Sequence, residues 1–346
     1  MASGIISPKI REIARQSGVS LAGGGDPTSR IVDACVRRVK GWIDALGPAD
    51  TFADLINIVA AKLKVHFEVI RGEDDLAAVM HQYLRSGETG FVDLRSELDG
   101  SADAVVVRLQ KAPSWSDKQY VAVIDARGAK ASKEWFSKWH ELAHLIAEPQ
   151  TKFAFRRTLA TRRDPVERLM DQLAAGLAFY PELLLPAVQA HGLDLEQPNL
   201  RALVAFQKSA LDFSSLHAAL IATLRHSAVP TVLVEAKVTL KSSEQRAQNQ
   251  GLLFADAAPT PTLRATTTAH NPEAVRRKFY IHRWMRVPER SVIRRVYGGE
   301  IACEHVPTRE NLSWWESQGE RLPGRSVLVE AMQAGPGRVL ALVTRA

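Results

Sequence analysis

The chain has 346 residues, 46% apolar and 24% charged with a net charge of +7, which is enough for a globular protein of two or three domains with a full core. No apolar run reaches the length of about 18 residues that a bilayer requires, and the N-terminal stretch lacks an apolar h-region, so neither a transmembrane helix nor a signal peptide is expected. The two cysteines, Cys35 and Cys303, stand far apart and form no disulfide framework, which fits a reducing compartment; the expected location is the cytoplasm, with no membrane partner.

Periodicity predicts helices over 8–21 and 29–46, the second with Ile31, Cys35, Val39, Trp42 and Leu46 in one apolar stripe. A helix over 50–63, a short strand over 66–70 and a helix over 74–85 come next. Three strands are then expected, at 90–94, 104–110 and 119–125. The last two are rich in Val, Ile and Tyr and joined by a polar connection, the pattern of a hairpin. A helix follows over 132–147, ended by Pro149. Another covers 165–179, with Asp164 as N-cap and Pro165 at its first position. Residues 182–227 read as several short helices. Beyond Pro230 the texture changes to short β-like runs at 231–238, 326–332 and 339–344, with a threonine-rich loop over 258–268 between them. Charge changes there too. Residues 231–346 hold 17 Lys/Arg against 11 Asp/Glu, while the first 230 are nearly balanced at 28 against 27. An anionic partner, nucleic acid first among them, is expected for this last third.

His140-Glu141-Leu142-Ala143-His144 forms an HExxH motif on the helix expected over 132–147. Residues four apart share a helix face, so both imidazoles can reach one ion. Glu141 lies beside the first histidine, where it can take a proton from an attacking water. A catalytic zinc site needs a third protein ligand and an open fourth position. Glu167, on the next helix, is the best candidate for the third. Asp171, one turn later on the same face, could hold an imidazole by accepting its second ring proton. The plainer alternative for both is a pair of exposed carboxylates favoured near a helix start.

These residues resemble the ImmA/IrrE metallopeptidases. The likeness rests on the strand-then-helix approach to His-Glu-Leu-Ala-His-Leu-Ile and on the segment from Glu167 to Pro181. Asp171, Ala174, Ala175 and Pro181 agree with that family's pattern, whereas Met170 stands where Ala is usual and Leu173 where Phe is usual. The resemblance covers roughly residues 30–225. It implies one Zn2+ per chain, bound by His140, His144 and Glu167, with Glu141 as catalytic base. It also implies an endopeptidase that cleaves a helix-turn-helix transcriptional repressor and so derepresses stress or defence genes. Some members carry a C-terminal GAF-like sensor, and among those the layout is most similar to CapP-type regulators of anti-phage CBASS operons, which implies a DNA-damage or infection signal such as single-stranded DNA. The expected fold is thus α+β: a zincin-like metallopeptidase domain with N-terminal helices over 1–185, a helical, helix-turn-helix-like segment over 186–228, and a basic α/β GAF-like sensor over 229–346.

A basic run with interleaved aromatics bears on the signal. Arg276, Arg277, Lys278, Tyr280, Arg283, Trp284, Arg286, Arg290, Arg294 and Arg295 combine phosphate-tracking charge with rings for base stacking. The alternative is a solvated basic surface whose aromatics belong to the core. Either cysteine, Cys303 or Cys35, could cap the open zinc position as an inhibitory thiolate, although both also suit buried core positions. Two other functions remain open from sequence: a non-catalytic, zinc-containing DNA-binding regulator, and a peptidase of broad specificity without a repressor partner.

Overall fold

A computed structural model of the chain describes residues 7–21, 26–100, 102–110, 117–148, 155–156, 164–249, 259–301, 303–317 and 319–346. The chain divides into two compact units, Met1–Pro186 with Phe213–Ser215, and Ala187–Asp212 with Leu216–Ala346. The helices over 200–224, segmented from sequence as part of a separate stretch, thus group with the second unit.

The first unit opens with α1 (Pro8–Gln16) and α2 (Pro27–Leu46). Each starts on a proline behind a side-chain cap, Ser7 for α1 and Asp26 for α2. The buried stripe of α2 is Ile31, Cys35, Val39 and Ile43, a strict four-residue repeat; Leu46, expected to close it, is exposed at the helix end. α3 (Phe52–Lys62) begins with a capping box between Thr51 and Asp54. Then come β1 (Val65–Ile70), α4 (Glu73–Arg85), α5 (Leu94–Gly100), β2 (Ala104–Arg108) and β3 (Tyr120–Asp125). The strand expected over 90–94 is a 3-10 turn, Thr89–Phe91, leading into α5. Packing overrides β propensity there. Phe91 stacks on Tyr83 with ring centroids 4.3 Å apart, and Gly90 lies so near β2 that a Cβ would sit 2.8 Å from Val107 Cγ1.

After β3 come α6 (Glu134–Ala147), β4 (Phe155–Arg156), α7 (Pro165–Ala178) and α8 (Pro181–Ala190). The sheet order is β1-β3-β2-β4, with β1 parallel to β3 and the other pairs antiparallel. β2 and β3 pair as the expected hairpin. Their Val105, Val107, Val121 and Val123 join a core with Leu76, Phe91 and Leu98 under α4 and α5. The alternate residues, Ala104, Val106, Ala122 and Ile124, are equally buried, and α6 packs against β2 and β3.

The second unit contains α9 (Leu200–Ala210), α10 (Leu216–Leu224), β5 (Thr231–Thr239), α11 (Ser242–Asn249), β6 (Thr262–His270), α12 (Pro272–Arg276), α13 (Val292–Tyr297), β7 (Cys303–Asn311), β8 (Glu316–Ser317), β9 (Glu320–Arg321), β10 (Ser326–Gln333) and β11 (Arg338–Arg345). Its main sheet runs β6-β5-β11-β10-β7, antiparallel throughout. Val232, Val234, Val329 and Ala341 from the sheet pack with Phe279, Ile293 and Trp315 in one core. The threonine-rich stretch expected as a loop supplies most of β6. Threonine is polar but β-branched, and opposite β5 it fits a pleated surface, with Ala265 and Thr266 buried. Both units mix helices and strands, in keeping with the expected α+β class. Among the described residues no single helix is long and apolar enough to cross a membrane.

Candidate metal centre

The approach to α6 is held by buried charge. Asp125, at the end of β3, accepts from the Arg127 backbone N–H at 3.1 Å, from Arg127 Nε at 2.8 Å and from Lys130 Nζ at 2.6 Å, while Lys133 pairs with Asp103 at 3.1 Å. Burial works against ionisation of Asp125, but the hydrogen bonds from Arg127 and Lys130 outweigh it and hold its carboxyl below the ordinary range. These contacts tie the 3-10 turn Gly128–Lys133 to the sheet, and α6 starts where that turn ends. From Trp139 to Ala147 the helix is wholly buried, and it carries His140, Glu141 and His144 into that interior at 3% exposure or less. Polar groups so placed are unfavourable unless they meet partners or an ion.

They do meet. His140 Nε2 lies 3.2 Å from His144 Nε2 and 3.2 Å from Glu167 Oε2, and His144 Nε2 lies 3.6 Å from Glu167 Oε1. Glu167 is delivered by the first turn of α7, which starts on the Asp164 cap (Oδ1 accepts from Val166 N–H at 2.8 Å) and on Pro165. His140, His144 and Glu167 form a group that could hold a metal ion. Donors bound at about 2.0–2.1 Å to a tetrahedral ion lie about 3.3–3.4 Å apart, and the three observed separations bracket that spacing. Two imidazoles and one carboxylate are also a donor set that zinc accepts. Residues and geometry therefore fit a bound metal ion.

Asp171 stands one turn beyond Glu167, with Oδ1 at 3.0 Å from His140 Nδ1. An ionised carboxylate only accepts, so with an ion at the site His140 would give its Nδ1 proton to Asp171 and turn its Nε2 lone pair toward the metal. Burial opposes ionisation of Glu167, yet its hydrogen bond with His140 and the charges of His144 and His140 prevail and keep its pKa below the usual value. Glu148 escaped the sequence reading. It is buried just past the end of α6 with Oε2 at 3.9 Å from His144 Nδ1, an ion-pair distance beyond hydrogen-bond reach. Its spacing of four from His144 is the signal that could have found it.

Cys35 is fully buried on α2, its sulfur 3.8 Å from Ser17 Oγ; burial raises the thiol pKa and disfavours the thiolate that binds metal. Cys303 opens β7, and its side chain lies outside the described residues. β3, the strand that leads into the motif helix, is interior, between β1 and β2, with Val121 to Ile124 buried on both faces and both backbone edges paired; among the described residues the edges of this sheet are β1 and β4.

The ten residues of the basic run separate. Arg276 and Arg277 both pair with Glu273 at 2.7 Å and at shorter range, respectively. Lys278 and Trp284 adopt left-handed backbone conformations (φ of 52° and 73°), and Arg283 donates to the Thr266 carbonyl while lying over the Trp284 ring. The Tyr280 hydroxyl donates to the Val275 carbonyl at 3.0 Å. Arg295 sits 3.8 Å from Glu300. Arg286, Arg290 and Arg294 alone among the ten line one cavity, where they meet Arg321 and Trp314, which no local pattern marked.

Neither a family model nor a curated protein matches the chain. Among solved structures, a Mycobacterium tuberculosis transcriptional regulator is similar at 10% sequence identity and a TM-score of 0.44, over 97% of this chain and 80% of that one.

Proposed function

We propose that the chain is a zinc-dependent endopeptidase in which His140, His144 and Glu167 hold the ion and Glu141 is the general base. The observation that carries this reading is the convergence of the two imidazole Nε2 atoms, 3.2 Å apart, with the Glu167 carboxylate, whose oxygens lie 3.2 and 3.6 Å from them, in a largely buried site, with a further carboxylate next to the first histidine on the same helix. When bound, zinc supplies Lewis-acid polarisation of the scissile carbonyl and acidifies a water. Asp171 fixes the His140 tautomer. Glu141 takes the proton from the attacking water and returns it to the departing amine. A structural metal site has no use for such a base, which favours a peptidase over a non-catalytic regulator. An extended substrate would pair with a sheet edge, and β4, the first strand after α6, is the edge nearest in sequence to the motif.

The proposed substrate is a helix-turn-helix transcriptional repressor, on the strength of the ImmA/IrrE resemblance, with single-stranded DNA as the signal and the second unit as a GAF-like sensor. The all-antiparallel sheet and basic character of that unit support the sensor role. Zinc-loaded protein and Glu141→Gln are to be incubated with helix-turn-helix repressors encoded beside it, with and without single-stranded DNA. Cleavage by wild type and none by a Glu141→Gln protein that still binds one metal equivalent are expected. Equal cleavage by both proteins would remove Glu141 from the mechanism, and no cleavage of any repressor by a fully loaded enzyme would remove the substrate.

A further inference from the structure

We propose that the second unit binds a free nucleoside phosphate, in a cavity whose arginines take the phosphate and whose Trp314 takes the base. The cavity measures about 670 Å3, inside the span of about 300–1,000 Å3 common to small-molecule sites. Arg286, Arg290, Arg294 and Arg321 line it against two acids, Glu289 and Glu316, so its walls carry two net positive charges. The acids do not saturate them. Arg294 pairs with Glu289 at 2.8 Å, but Arg286 and Arg321 share Glu316 at 3.6 and 3.9 Å, too long for hydrogen bonds. Arg290 has no ion pair among the described residues. Guanidinium forks with N–H donors to spare are what bidentate phosphate recognition uses.

Trp314 adds an aromatic face. It is 37% exposed, while the adjacent Trp315 is fully buried and anchors it. An indole at the rim of a cationic cavity suits a stacked base rather than an inorganic anion.

The frame is stiff. Arg286 N–H donates to the Glu316 carbonyl at 3.0 Å, and its backbone bridges Arg264 on one side and Glu316 on the other. Arg290 and Arg294 flank Ser291, which caps α13 and donates to the buried Glu310 Oε1 at 3.0 Å. A single ligand is favoured over a strand because Arg276, Arg277 and Arg283, which would extend a phosphate track, are engaged by Glu273 and by the Thr266 carbonyl. This site is independent of the peptidase reading.

Calorimetric titration of the full chain with ADP, inorganic pyrophosphate and an oligothymidylate tests it. ADP should bind saturably below about 1 mM. Arg290→Gln and Arg294→Gln should each weaken ADP and pyrophosphate by about tenfold. Trp314→Ala should weaken ADP by about fivefold or more and leave pyrophosphate unchanged, since only the base is stacked. Arg201→Ala, at an exposed position of α9 outside the cavity, should change nothing. The proposal is overturned if ADP does not bind, if the arginine variants bind it as wild type does while remaining folded by circular dichroism, or if only the oligothymidylate binds.

Discussion

Replacing Asp171 by Asn tests whether the metal centre is organised as its geometry indicates. The carboxylate Oδ1 stands 3.0 Å from His140 Nδ1 and fixes which ring nitrogen faces the other donors. A hydrogen bond to a charged group contributes about 1.5–3 kcal/mol, and 1.4 kcal/mol is a factor of ten in affinity. The Asp171 side chain is 40% exposed, so the lower end applies, and zinc affinity should fall by about tenfold, in the range known for partners of metal-bound histidines. Competition against a chromophoric chelator at fixed pH measures this directly. Glu141→Gln, which removes no ligand, should bind zinc within about twofold of wild type, while Glu167→Gln should lose far more than Asp171→Asn. Unchanged affinity in Asp171→Asn, with folding intact, would refute the claim that this carboxylate orients His140. Equal losses in Glu141→Gln and Glu167→Gln would refute the assignment of the third ligand.

Asp125→Asn should destabilise the first unit by about 2 kcal/mol at neutral pH, since Arg127 and Lys130 lose a buried acceptor but are partly exposed themselves. The folded pKa of Asp125 is depressed, so its contribution is present above the unfolded value of about 3.9 and is lost as pH falls through the folded one; the gap between wild type and variant in chemical denaturation should close below about pH 4. Glu330 behaves oppositely. Burial raises its pKa against the Leu200 N–H bond at 2.8 Å, so its contribution is full below about pH 4.3 and is lost as pH rises through the raised value. Glu330→Gln should therefore gain on wild type as pH increases from 4 to 8, and a pH-independent difference would contradict this. Gly90→Ala puts a Cβ 2.8 Å from Val107 Cγ1 and should lower stability by about 1–3 kcal/mol, read as a lower denaturation midpoint.

How much was legible without coordinates depended on the range of each signal. Asp164 and Pro165 start α7 as their local chemistry dictates, and the i, i+4 spacing of His140 and His144 belongs to any helix. Glu167 and Asp171 could be nominated because they share a face one turn apart, and the structure places both at His140. The strand expected at 90–94 and the loop expected at 258–268 failed for a common reason. In both stretches conformation is decided by a neighbour that local composition does not contain: the Tyr83 ring for Phe91, and the β5 backbone for the threonines. Glu148 carries the local signal of a four-residue spacing from His144, but its burial beside that ring belongs to the tertiary structure.

By itself the sequence determined the elements whose signals are local: capped helices, the metal-spacing motif, the β2–β3 hairpin, and a basic final third. Only the tertiary structure decided what depends on contacts between distant residues. It made β3 an interior strand by pairing both its edges. It brought α7 against α6 so that a carboxylate from one completes the donors of the other. It also dispersed a contiguous basic run, leaving Arg286, Arg290 and Arg294 beside Arg321 and Trp314 through a backbone bridge to Glu316. Spacing along the chain governs the first kind of fact, whereas strand order and helix packing place together residues whose separation in sequence carries no trace of their proximity.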